Sequence, residues 1–231
     1  MKSADFCPIC GKTEARFIKG FCEECYQKKH ALVEFPSSIE FGQCRQCAKI
    51  RVSQKMLPLD SGSLALIAEK SIKVHELENP VKSVSIKEDS GGFFAEVAVK
   101  GTIDSVPMLF EKKIPLKPKP ILCDACMRLS SQYFEAIIQI RGNDRQKLRQ
   151  AFSLIKNFFN KSREKDSLAA ITESSEKGGR IDLKIGSKKA AYHAAKLVER
   201  EFGAQIKVSK KLVGVDDNKQ EKYRFTFLVR I

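Results

Sequence analysis

"CPICGKTEARFIKGFCEEC", residues 7–25, carries two cysteine pairs at CxxC spacing with eleven residues between them. "CRQC" (44–47) and "CDAC" (123–126) add two further pairs, and none of the eight cysteines is left over. A dithiol redox device needs one reactive pair, usually opening a helix beside a strand. Two intervening residues also form the tight turn that brings two thiolates to one metal ion, about 2.3 Å away for zinc, and a second turn completes a tetrahedron. Four pairs therefore count out as two four-cysteine cages, with an iron–sulfur cluster or dithiol redox chemistry as the alternatives. The expected ligands are Cys7, Cys10, Cys22, Cys25, Cys44, Cys47, Cys123 and Cys126, and the expected cofactor is Zn2+, two structural ions. A fully ligated ion leaves no position for water, so zinc here stabilises and does not catalyse.

Four pairs group in three ways. Sequential grouping joins 7/10 with 22/25 and 44/47 with 123/126. A ribbon of the two middle pairs, 18 residues apart, and a cross-braced arrangement are the alternatives. The sequential choice is favoured because its first site closes the shortest loop. It also makes the 75 residues between Cys47 and Cys123 a subdomain tied off at its base by metal.

The compartment supports metal over disulfides. No run approaches about 18 apolar residues, and the N-terminus has no apolar secretory segment. The reading is a soluble, cytoplasmic protein, where reducing conditions disfavour structural disulfides.

Charge is spread unevenly. Residues 1–126 carry 19 lysines and arginines against 16 acids, and residues 127–231 carry 23 against 12. Each filled cage adds four thiolates and one divalent ion, so the first half falls to about −1 and the whole chain from +14 to about +10. The basic character belongs to the second half, as expected of a surface that neutralises phosphates and binds in a salt-dependent way. The bland alternative is a solubilising surface on a lysine-rich protein. No amphipathic basic terminal helix or lipidation signal points to a membrane.

Along the chain, residues 62–76 read as a helix with Leu64, Ile67, Ala68 and Ile72 on or near one face. "VKSVSIKED" and "FFAEVAVKG" form a hairpin across Ser90 to Gly92, "VPMLFEKKIPL" a third strand, and "KPKP" an extended segment. After Cys126 the order is β-α-ββ-α-ββ. "QYFEAIIQIRG" (132–142) is a strand, followed by a helix capped by Asn143 or Asp144 with Leu148, Phe152, Ile155 and Phe159 at helical spacing. A hairpin then turns through Glu176 to Gly179, a second helix runs from Ser187 to Gly203, and a last hairpin turns near Asp216 to Lys219. The fold class is α+β: an N-terminal four-cysteine zinc-binding module with a small β insert, then a split βαβ (ferredoxin-like) α/β sandwich. The expected domains are 1–126, a double zinc-binding domain with an α+β insert at 48–122, and 127–231, a basic sandwich.

"GSKKAAYHAAK" is the most phosphate-like feature. Ser187 begins a helix whose free amides carry partial positive charge, with Lys188 and Lys189 on its first turn. It lacks the Gly-rich Walker spacing of a P-loop. Lys207, Lys210 and Lys211 on an alternating strand, and Arg141, Arg145 and Arg149 around the other helix start, complete the candidate RNA contacts. No paired acids, Ser-His-Asp order or nucleotide fingerprint indicates an enzyme or a small-molecule substrate. His30, His75 and His193 are widely separated and lack catalytic partners.

"CDACMRLSSQYFEAIIQIRG", the three earlier CxxC pairs and the closing "FGAQIKVSKKLVG…YRFTFLVRI" together resemble the nonsense-mediated mRNA decay protein 3 family over nearly the whole chain, in its short archaeal form. The resemblance implies an adaptor of the large ribosomal subunit, acting late in maturation or in quality control, and its zinc pattern falls on the eight cysteines. Eukaryotic members export the subunit with added C-terminal domains that would start where this chain ends, so export is not carried over. By analogy, an archaeal anti-association initiation factor is a partner beside the subunit and its rRNA. The rival functions are a translation regulator binding mRNA or tRNA, and an RNA-modifying or redox enzyme with accessory zinc.

Overall fold

The computed structural model describes residues 6–215 and 219–231. The chain divides into two compact units, the first ending at Ile121 and the second Leu122–Ile231.

The first unit starts with very short elements: β1 (Phe17–Ile18), β2 (Phe21–Cys22), α1 (Glu23–Lys29) and β3 (Val33–Glu34). Then come β4 (Ile39–Cys44), β5 (Ile50–Val52), β6 (Lys55–Leu57), α2 (Ser61–Ser71), β7 (Lys73–Val74), β8 (Glu78–Asp89), β9 (Gly92–Ile103) and β10 (Val106–Ile121). Six of these strands form one sheet in the order β6-β5-β4-β10-β9-β8. Leu64 and Ala68 of α2 share an apolar cluster with Ile39, Phe41, Val97 and Ile114 from that sheet.

Helix α2 is shorter than the expected 62–76. Asp60 caps it by accepting from Ser63 N at 2.7 Å, and Ser71 Oγ bonds back to Ile67 O at 2.8 Å at its end. The chain then turns extended, and β7 pairs with β3. Ile72 is therefore buried just after the helix and not along its face.

The expected third strand and the "KPKP" segment are one continuous strand, β10. Its first part pairs with β9 and only Leu116–Ile121 pairs, in parallel, with β4. Ile121 O accepts from Arg45 N after β4, so by alternation Pro118 and Pro120 turn their missing amide hydrogens to the opposite side, where among the described residues no strand pairs with that segment. The parallel register sets Cys44 beside Ile121.

The second unit contains α3 (Asp124–Ser130), β11 (Ala136–Arg141), α4 (Arg145–Ser162), β12 (Ile171–Lys177), β13 (Arg180–Ile185), α5 (Lys188–Phe202), β14 (Gln205–Val215) and β15 (Glu221–Arg230). This is the expected order, with strand β11 shorter than 132–142. The sheet order is β12-β13-β11-β15-β14. The added strand, β15, is internal, running parallel to β11 and antiparallel to β14. Gly178 and Gly179, both at positive φ, turn the β12–β13 hairpin. For the last hairpin, Asp216 to Asn218 lie outside the described residues.

Alternation along β11 sends Ala136, Ile138 and Ile140 to one face, where they pack with Leu148, Ile155 and Phe159 of α4 and Ala191, Ala194 and Val198 of α5. Both helices thus cover a single face. Asp144 caps α4 by accepting from Gln146 N and Lys147 N, and Gly203 ends α5 in the left-handed region. Among the described residues no helix is long and apolar enough to cross a membrane.

Candidate metal centres and basic surface

The cysteine sulfurs gather in the sequential grouping. Cys7, Cys10, Cys22 and Cys25 place their sulfurs within 4.8 Å of one another, and so do Cys44, Cys47, Cys123 and Cys126. Four sulfurs about 2.3 Å from one ion stand about 3.8 Å apart, and Cys10 Sγ lies 3.5 Å from Cys22 Sγ. The donor sets fit a tetrahedral thiolate-bound ion.

Both clusters follow one local plan. In "CPICGK", Cys7 N donates to Lys12 O at 2.9 Å and Gly11 N donates to Cys7 O at 2.8 Å. In "CRQCAK", Cys44 N donates to Lys49 O and Ala48 N to Cys44 O, both at 2.9 Å. Gly11 and Ala48 supply the positive φ that each turn needs, at 74° and 57°. The second pair of each cluster opens a helix: Cys22 is the N-cap of α1 and Cys123 that of α3. Cys126 N points at Cys123 Sγ over 3.5 Å. Each cluster therefore combines one tight turn with one helix start, whose partial positive charge favours thiolates. The repeat is one of local geometry, and only "CxxC" with a small residue and lysine after the first pair announces it in sequence.

The first cluster holds its protons unequally. Burial raises the pKa of Cys7, but N–H groups of Cys22, Cys10 and Ile9 and the Cys10 thiol outweigh it and bring the value down to about 6. Cys25 is pushed up to about 12, first by its hydrogen bond with Cys22, then by burial and the other two sulfurs. Crowded thiolates disfavour one another, and a divalent cation among them reverses that balance. Between those two values, metal uptake expels protons.

The candidate RNA contacts do not form one patch. Ser187 is buried, its hydroxyl donating to Asp166 Oδ2 at 2.5 Å and accepting from Ala190 N at 3.2 Å. Lys188 N donates to Glu135 Oε2 at 2.9 Å, so the start of α5 already receives a carboxylate from its own fold. Lys188 Nζ sits 4.8 Å over the Phe225 ring, and Lys189 is exposed. Arg141 pairs with Asp182 Oδ1 at 2.7 Å and donates to Ile140 O. Arg145 and Arg149 are exposed on α4, which starts from the Arg141 end of the sheet, whereas α5 starts from the Ile185 end. Lys207 and Lys211 share the helix-free face of β14, while Lys210 turns to the other side, 4.4 Å over Tyr223.

The register assembles what the linear reading missed. Lys177 stands opposite Arg180, Arg180 opposite Arg141, and Arg141 opposite Arg230, on four adjacent strands. Like charges directly opposite one another are destabilising in a sheet. The sequence signal is faint: "EKGGR", "IQIRG" and "LVRI" each place a cation at a strand end, and only long-range pairing brings those ends together.

Two family models match the chain, "NMD3, N-terminal domain" over residues 7–131 and "NMD3, second domain" over residues 133–231. No curated protein matches it.

Proposed function

The chain belongs to the NMD3 family, a family of ribosome-associated factors linked to the large subunit, and from that premise we propose that it binds the large ribosomal subunit without catalysing a reaction. Matches to two successive domains of that family, together spanning 7–231, carry this reading. The role is late subunit maturation or quality control in the cytoplasm, beside an anti-association initiation factor.

The all-thiolate donor sets favour zinc, which has no geometric preference beyond the tetrahedron and no redox chemistry. Cys7, Cys10, Cys22 and Cys25 would hold one ion, and Cys44, Cys47, Cys123 and Cys126 the other. Each ion would supply folding energy and neutralise its thiolates. With the cages filled, the N-terminal region is close to neutral, a surface suited to protein contacts. The basic second unit contacts rRNA backbone through exposed Arg145, Arg149, Lys188, Lys189, Lys207, Lys210 and Lys211. Arg141 adds a contact from the helix-free face, and Ser187 supports the surface from within the fold.

Sedimentation tests the reading. The zinc-loaded protein comigrates with large subunits at moderate salt and leaves them as salt rises. Protein that stays at the top of the gradient at every salt concentration, or is bound only to small RNAs, would overturn it.

A further inference from the structure

We propose that the helix-free face of the five-stranded sheet is a platform for RNA backbone, with its strongest contacts along the Lys177–Arg180–Arg141–Arg230 row; this rests on the ribosome-binding reading above. Adjacent strands lie about 4.8 Å apart, so the row spans about 14 Å across four strands. Among the described residues, two acids stand at strand positions of this face. Glu173 is used by Lys184 at 2.7 Å and Asp182 by Arg141 at 2.7 Å. Lys177, Arg180, Arg230, Arg224, Lys207 and Lys211 then have no carboxylate within ion-pair distance among the described residues.

The rest of the face says what kind of anion fits. Between the cations the floor is Gln139, Ile137, Thr226, Leu228, Ser175 and Ser209, small or medium side chains with no projecting apolar anchor. Protein interfaces depend on such anchors, packed into pockets at their centre. A flat floor under guanidinium groups suits phosphates, which arginine grips with two parallel hydrogen bonds. The helix-free positions of β11, β13 and β15 carry no aromatic ring. Phe134 does offer one at the other end, but Arg224 covers it at 4.1 Å and Lys184 lies 5.1 Å away. Without strand aromatics for bases to stack on, the face grips backbone and is tolerant of sequence. Cations set side by side weaken the sheet until an anion covers them, which is the expected state of a surface built to be occupied.

The decisive experiment compares two charge-matched double variants of the full, zinc-loaded chain: Arg180→Gln/Arg230→Gln on the face, and Lys156→Gln/Lys161→Gln on exposed positions of α4. Each is titrated against intact large subunits and against protein-free large-subunit rRNA. The face variant is expected to lose about tenfold or more in affinity for both, with a log–log salt slope shallower by about two. The α4 variant stays within about twofold of the wild type. Arg180→Lys/Arg230→Lys restores most of the binding. The face variant melts no lower than the wild type, because it relieves like-charge neighbours. Equal losses in both double variants, or no loss in the face variant, overturn the platform while wild-type comigration leaves the ribosome reading intact. Binding to subunits but not to naked rRNA would point to an acidic ribosomal protein and also overturn it. A wild type that binds neither defeats the ribosome reading itself.

Discussion

The sandwich buries Ile138, Ile140, Ile155, Phe159, Leu183 and Phe227 in one apolar cluster, while among the described residues the cluster around Cys7 is three buried cysteines with Phe17 packed against them. Elements differ in the same way. Helices α4 and α5 run 18 and 15 residues, against 7 for α1 and 2 each for β1 and β2. Hairpins and helices that short do not hold themselves in water. The contrast sets area removed from water in the second unit against a four-sulfur cluster near the N-terminus that could hold a metal ion.

Three changes break or sharpen that contrast. Cys22→Ser has the largest effect, releasing about one metal ion per chain and opening residues 7–30 to protease while the sandwich keeps its melting transition. Metal analysis alongside limited proteolysis reads both, and an intact N-terminus with full metal content would refute the first cage. Ile138→Ala should act oppositely, costing the sandwich about 2–5 kcal/mol in denaturant unfolding and leaving metal content unchanged. Asp144→Ala is the smallest, about 1 kcal/mol, through lost capping of Gln146 N and Lys147 N.

Local chemistry made much of this readable from the chain alone. Asp144, Ser187 and Gly203 mark helix ends by capping, and Gly178–Gly179 marks a turn by backbone freedom; these depend on a few neighbouring residues. The α2 stop at Ser71 was hidden because Ile72 continues the apolar spacing, although its backbone has left the helix. The parallel pairing of β4 with β10, the internal position of β15 and the cation row were all beyond reach. Each depends on which distant strands become neighbours, and alternation along one strand carries no information about its partner.

Strand β15 is the last of the sandwich in chain order, yet it lies between β11 and β14 and delivers Phe227 and Val229 to the core. During synthesis β11 therefore waits with one edge open until residues beyond 220 have left the exit tunnel. That edge is covered only by the parallel pairing of β11 with β15. A nascent chain halted before that point lacks Arg224 and Arg230 and leaves the cation row without its β15 member.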